Sequence, residues 1–196
     1  MIRTTFAAIA VLLLLAAHCV RAQDPAPQPS LQTAAQSYFG DTILLDQDGR
    51  EHRFYTDLVR GKIVIMDFIY TRCVGPCPIL SSTFARLQAR LGDRLGKDVF
   101  LLSFSVDPTY DTPARLKEYA GRFHAKPGWL FLTGSRENAE TVLRRLGQWV
   151  ESPEQHQTLY IVGNEPTGLW KKAFGLAKPE DLFPVIDSVI DDREKG

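Results

Sequence analysis

The feature that most constrains this chain is a nearly unbroken apolar and β-branched run, Ile63-Val64-Ile65-Met66-Asp67-Phe68-Ile69-Tyr70, that ends in Thr71-Arg72-Cys73-Val74-Gly75-Pro76-Cys77-Pro78. A strand of that composition is buried on both faces. From Cys77 to about Leu95, Leu80, Phe84, Leu87 and Leu91 recur at helical spacing, the mark of an amphipathic helix. A buried strand that feeds straight into a helix restricts the fold to layered α/β architectures. The two cysteines occupy the turn between them.

The remaining elements follow from the same reading. Asp46-Gln47-Asp48-Gly49-Arg50 predicts a hairpin turn between Thr42–Leu45 and Glu51–Phe54, and Val99–Val106 is a second buried-strand pattern. Thr112 and Pro113 suit an N-cap and first helical position. Trp129–Leu132 reads as a strand, Asn138 to about Trp149 as a helix, Thr158–Val162 with Gly168–Lys172 as a hairpin, and Pro179 to Ile190 as a closing helix. The chain has no internal repeats. The order is that of an α/β domain, and the cysteine pair at a strand-to-helix turn makes it resemble a thioredoxin-like domain. That implies a mixed central sheet flanked by helices, with an N-terminal β-hairpin extension and an extra helix and strand after the cysteine-bearing helix.

Residues 1–22 read as a signal peptide, with Arg3 at the positive end, an apolar stretch from Ala7 to Ala17 and the small-residue site Val20-Arg21-Ala22. The stretch is short for a membrane span and soon interrupted by His18 and Arg21; a retained leader acting as a membrane tether is the alternative. His18 precedes Cys19, where a lipoprotein cleavage site has a small residue, so lipidation there is not expected. Residues 23–37, rich in Ala, Pro and Gln, are expected to form a flexible tether, and residues 38–196 the folded domain. The leader and the lack of a transit-type sequence imply a periplasmic or otherwise extracytoplasmic location.

The chain carries 23 basic and 23 acidic residues, and loss of Arg3 and Arg21 with the leader leaves 21 against 23. A balance near zero argues against nucleic acid as a partner. The domain is long enough to build its own core without disulfides. Once the leader is gone, Cys73 and Cys77 are the only cysteines. As a staple they would close a very short loop, contributing about 2 kcal/mol in the chain-entropy model. Soft thiolates at this spacing point instead to thiol–disulfide chemistry or to a soft metal such as copper. A helix start beside Cys77 is expected to favour its thiolate.

Two sulfurs do not complete a copper site, and imidazole is the natural third ligand. His52 stands beside a polar hairpin and reads as a solvated surface residue, and His124 falls at a helix end, where the dipole favours it. His156 lies in Glu151-Ser152-Pro153-Glu154-Gln155-His156-Gln157, just before a strand; spacing alone leaves it either a ligand or a structural histidine. Met66 reads as core filler, and Lys171 and Lys172 as a solvated strand edge. Asp107-Pro108 and Asp111-Thr112-Pro113 read as a turn and a cap. Asp67 is a charge at a core position, either influencing proton transfer or facing a solvated gap.

The run Tyr70-Thr71-Arg72-Cys73-Val74-Gly75-Pro76-Cys77-Pro78, then Ser105-Val106-Asp107-Pro108 with Asp111-Thr112-Pro113, then a histidine before the next-to-last strands, resembles the Sco/SenC family of copper-binding thioredoxin-fold proteins over roughly Tyr38 to Ile190. The resemblance implies Cys73, Cys77 and His156 as ligands of Cu(I) or Cu(II). It also implies a metallochaperone role in assembly of the CuA site of cytochrome c oxidase, with the CuA-bearing subunit as partner. A periplasmic thiol reductase or copper donor would serve upstream, since an oxidised pair cannot bind copper. Many members carry an acidic residue where this chain has Gly75, and often an Asp where it has Gln155. Those departures imply weaker or differently poised copper binding and a tilt toward thiol exchange. A second reading is a thiol–disulfide reductase in which Cys73 and Cys77 form the catalytic redox pair. A third, peroxide reduction with Arg72 beside Cys73, ranks last.

Overall fold

The computed structural model describes residues 30–193. The elements in chain order are α1 (Leu31–Phe39), β1 (Ile43–Leu45), β2 (Glu51–Arg53), β3 (Ile63–Ile69), α2 (Pro76–Leu91), β4 (Val99–Ser105), α3 (Pro113–Arg122), β5 (Trp129–Leu132), α4 (Arg136–Leu146), β6 (Leu159–Asn164), β7 (Leu169–Phe174) and α5 (Pro179–Ile190). β1 and β2 form the expected antiparallel hairpin, and the other five strands form one sheet in the order β5-β4-β3-β6-β7. β3 runs parallel to β4 and β4 to β5, while β6 and β7 are antiparallel to their neighbours. This is the mixed sheet flanked by helices that the sequence leads one to expect.

Alternation along β3 divides two cores. Ile65 and Ile69 face Leu80, Phe84 and Leu87 of α2 and Leu182, Ile186 and Val189 of α5. Val64, Met66 and Phe68 face Phe39 of α1, Val142 and Leu143 of α4, and Phe54 and Tyr55 beyond the hairpin. Each fully buried Leu or Phe stabilises the fold by roughly 1.5–3 kcal/mol. The layers, rather than the loops, therefore fix where the cysteine turn sits. Because β3 and β4 are parallel, with Ile69 opposite Ser105, the segments that follow them emerge side by side. β6 is antiparallel to β3, so the segment that precedes it arrives at the same end. Topology thus gathers the cysteine turn, Asp107 to Asp111, and His156 at one edge of the sheet.

Two expectations are corrected. The tether expected over residues 23–37 is helical from Leu31, with the Ser30 hydroxyl accepting from Thr33 N at 3.2 Å. Composition hides this helix because its anchor is distant: the Phe39 ring packs on Phe54, Tyr55 and Trp170, and the Tyr38 hydroxyl donates to Arg145 O at 2.5 Å. The rest of that stretch, residues 23–29, and the signal-peptide expectation over residues 1–22 lie outside the described residues. His52 is not solvated either. It is half-buried, with Nε2 2.9 Å from the Asp46 carboxylate, which also accepts from Asp48 N and Arg50 N at 2.8 and 2.9 Å. Burial alone would raise the Asp46 carboxyl, but these three partners together hold it below its ordinary value of 3.8.

That carboxylate closes the hairpin, so Asp46→Ala leaves two backbone donors unmet and is expected to destabilise the protein by about 1–3 kcal/mol in urea unfolding at neutral pH. Because the folded-state value is lowered, the stabilisation is present above about pH 4 and is lost as pH falls through that value. The gap between wild type and variant should therefore close in acid; a gap that persists unchanged there counts against the carboxylate's role.

Candidate functional site

The cysteine turn is held from below by Asp111. This side chain is fully buried and accepts from Thr71 N at 3.1 Å, from the Thr71 hydroxyl at 2.5 Å and from the Ser105 hydroxyl at 2.7 Å. Burial raises its carboxyl, although the hydrogen bonds from Ser105 and Thr71 oppose the shift. On the outer side the Arg72 guanidinium pairs with Asp107 at 2.5 Å and lies over the Tyr110 ring, 4.2 Å from its centroid. Asp107 and Asp111, read from sequence as a turn and a cap, are thus the supports of the turn. Thr112 does cap α3, accepting from Arg115 N. With its guanidinium committed to Asp107 and Tyr110, Arg72 gives the peroxide reading no support.

Both cysteines are free thiols and both are buried, Cys77 completely and Cys73 with 7% of its surface exposed. Val74 between them is 99% exposed. Gly75 caps α2 and Pro76 is its first residue, so the helix begins one residue before Cys77. Cys77 N points to the Cys73 sulfur at 3.4 Å. The helix start therefore serves Cys73, whereas the sequence reading placed it at Cys77. Burial first, then a hydrogen bond with Cys73, pushes the Cys77 thiol far above the ordinary range; desolvation of a buried sulfur outweighs the helix dipole here.

His156 follows a single short turn, Pro153–Gln155, and is nine-tenths buried. Its Nδ1 lies 2.6 Å from the Pro153 carbonyl, while Nε2 is buried with no hydrogen-bond partner. The carbonyl can only accept, so the proton sits on Nδ1 and the Nε2 lone pair is free. Tyr70, half-buried, sets its ring edge-on to the imidazole at 5.7 Å. Burial, with the neighbouring Cys73 next, pushes its phenol up to about 12. Sequence reading placed Tyr70 in the motif without giving it a role. The structure brings the cysteine turn and His156 to the same edge, yet among the described residues no three His, Cys, Asp or Glu side chains converge closely enough to hold a metal ion. His124 is exposed beyond the end of α3.

Gly75 and Gln155 are both exposed, and a Cβ at Gly75 would meet open space. An acidic side chain at either position would therefore act on the field at the exposed rim.

Asp67 faces no solvated gap. It is fully buried on the same sheet face as the cysteines, and neither oxygen has a well-placed partner. Burial pushes its carboxyl up to about 7, against an opposing interaction with Ser103. Its charge is felt at Cys77, Tyr119 and Tyr160.

Two outcomes are expected. In the unfolded chain Asp67 ionises near 3.8, so between about pH 4 and pH 7 folding requires proton uptake, and stability falls as pH rises. Relative to Asp67→Asn, the wild type should lose on the order of 1.4 kcal/mol per pH unit across that window and nothing further above it; parallel curves from chemical denaturation would contradict this. Asp111→Ala should destabilise by about 1–3 kcal/mol and speed native-state alkylation of Cys73 and Cys77. Unchanged alkylation would mean that the turn is held elsewhere.

The SCO1/SenC family model matches residues 32–165. The SCO1 protein homolog of Bacillus subtilis (strain 168) is 34% identical over 127 residues, covering 60% of this chain and 64% of that protein. A putative copper-binding protein of Stutzerimonas stutzeri is 32% identical over 104 residues, covering 53% of this chain and 49% of that one. The matches thus span about half to two thirds of these relatives' length. Among solved structures, BsSco, a member of the Sco family of cytochrome c oxidase assembly proteins in which a disulfide switch has been identified, superposes with a TM-score of 0.61 at 29% identity, covering 75% of this chain and 90% of that chain.

Proposed function

The chain belongs to the SCO1/SenC family, and from that premise we propose that it is an extracytoplasmic copper-binding protein that serves assembly of the CuA site of cytochrome c oxidase, with Cys73, Cys77 and His156 as the ligands of Cu(I) or Cu(II). The observation that carries the ligand set is the state of His156. Its Nδ1 is tied to a carbonyl and its Nε2 is buried with nothing to bond, the arrangement that fixes a metal-binding tautomer. An unpaired buried lone pair costs about 1–3 kcal/mol, and a metal ion would remove that cost.

Two buried free thiols supply the soft donors that Cu(I) takes, and an added imidazole suits Cu(II). Among the described residues these groups do not form a three-ligand cluster, so shared binding of one ion would require the turn before β6 and the cysteine turn to approach. Each thiol gives up its proton on binding, so affinity falls in acid. The exposed Val74 and Ile79 beside the sulfurs offer an apolar surface to a protein acceptor such as the CuA-bearing subunit. The copper-binding relative and the oxidase-assembly relative support the reading.

A second reading is favoured by the cysteine pair itself, buried and reduced with Cys77 N on the Cys73 sulfur. Such a pair can pass two electrons to a disulfide in a partner, closing its own disulfide as two protons leave. A periplasmic thiol reductase would restore it, and the same partner would keep the pair ready for copper.

Anaerobic titration of the reduced protein with Cu(I), in competition with a chelator, separates the two. Tight one-to-one binding lost in Cys73→Ser and Cys77→Ser and weakened in His156→Ala is the expected result. Weak binding, or binding indifferent to all three changes, would leave thiol exchange as the function.

A further inference from the structure

Six large apolar side chains are well exposed among the described residues, and four of them, Val74, Ile79, Phe174 and Leu176, belong to segments that border the sulfurs. Val74 stands between the cysteines, and Ile79 follows Cys77 by two residues. Phe174 and Leu176, 84% and 59% exposed, flank the buried Gly175, where β7 ends. Gly175 N donates to Thr158 O at 3.0 Å, and a Cβ at Gly175 would clash with Leu80 Cδ2 and lie 3.0 Å from Thr158 Cγ2. Thr158 follows His156 by two residues and Leu80 follows Cys77 by three. The turn after β7 is therefore wedged between the histidine segment and the cysteine-bearing helix, with its two large apolar side chains left in solvent. Single exposed apolar residues are ordinary, whereas four around one reactive pair form a patch of the kind that partners cover.

The charges at the border of this patch are unbalanced. From Phe68 to Leu91 the chain has three arginines and no Asp or Glu. Arg72 and Arg90 pair with Asp107 and Asp187. Arg86, which lies two helical turns beyond Ile79 on the same face of α2, is exposed and forms no ion pair among the described residues, and the same holds for Lys178, two residues beyond Leu176. The carboxylates that follow, Glu180 and Asp181, sit in the first turn of α5, where the helix dipole favours them.

We propose that the turn Phe174-Gly175-Leu176, together with Val74 and Ile79, is the face on which a protein partner docks to reach the sulfurs, and that this partner presents its cysteines in an apolar segment bordered by carboxylates, which Arg86 and Lys178 meet. The proposal rests on the reading that Cys73 and Cys77 serve a protein acceptor. Of the two cysteines only Cys73 keeps any exposed surface, so whatever exchanges with it must press against the surface around the cysteine turn. Apolar contact supplies residence time, and opposite charge at the border speeds encounter and selects the partner.

The test uses the full chain carrying Cys19→Ser, reduced, so that Cys73 and Cys77 are the only thiols. The probes are two synthetic peptides, each with one internal disulfide in an apolar segment, one flanked by glutamates and the other by lysines. In the reaction followed, a thiolate of the pair attacks the peptide disulfide and releases one peptide thiol, and the second thiolate displaces the other. The protein is left with a Cys73–Cys77 bond, and two electrons and two protons have passed to the peptide. Each peptide rate is divided by the rate with hydroxyethyl disulfide, small and uncharged, which reports the reactivity of the sulfurs themselves.

The glutamate peptide should be reduced about tenfold faster than the lysine peptide at low ionic strength, and the preference should shrink as sodium chloride is added. Arg86→Glu with Lys178→Glu should abolish or reverse that preference, and Phe174→Ser with Leu176→Ser should slow both peptides about fivefold or more. Equal rates for the two peptides, or a preference and rates untouched by these exposed substitutions, overturn the proposal. If hydroxyethyl disulfide and both peptides go unreduced, the thiol-exchange reading fails by itself; fluorescence anisotropy of labelled peptides with Ser at both cysteine positions then decides the docking face, with stronger binding of the glutamate peptide expected and equal or absent binding overturning it. A parent that sediments as a dimer, made monomeric by Phe174→Ser with Leu176→Ser, would assign the face to a second copy of the chain and overturn the proposal as well.

Discussion

The buried carboxylate of Asp111 is the constraint on which the site depends. It gathers a backbone N–H and a hydroxyl from Thr71, just before the cysteines, and a second hydroxyl from Ser105, the last residue of β4. Two loops that would otherwise move independently are thereby joined at a point that solvent does not reach. Each donor left unmet there costs about 1–3 kcal/mol, whereas the half-exposed Arg72–Asp107 pair outside adds less than about 1 kcal/mol. The inner tie fixes the turn's position; the outer one engages the arginine with Asp107 and the Tyr110 ring.

On that support the site is half prepared. The sulfurs are already together, with Cys73 receiving the first amide of α2, and the histidine already has its lone pair bared. Among the described residues these groups do not form a cluster able to hold a metal ion. The buried Asp67, on the same sheet face as the cysteines, adds a charge that works against a negative charge on the Cys77 sulfur.

Much of this was legible in the sequence. β3, β4 and β5 are apolar runs, and α5 spans Pro179–Ile190 as its pattern predicts, because burial on one or both faces writes a local signature. The parts that were not legible depend on distant partners. α1 is held by Phe39 on Phe54 and Trp170, and nothing in its polar composition announces that. His52 finds Asp46 across a hairpin. For the cysteines, local logic found the right donor and the wrong sulfur: a helix that starts at Pro76 sends its amide back to Cys73 while Cys77 goes into the core. For His156 the place before β6 left a ligand and a structural histidine both open, and its tautomer is written only in the contact with Pro153.

The most direct test of the central claim is copper K-edge X-ray absorption on the protein loaded one-to-one, with His156→Ala measured alongside. The account predicts two sulfur scatterers and one imidazole nitrogen, with the imidazole contribution absent from the variant. A shell of sulfur alone, or an imidazole signal that survives the loss of His156, would contradict it.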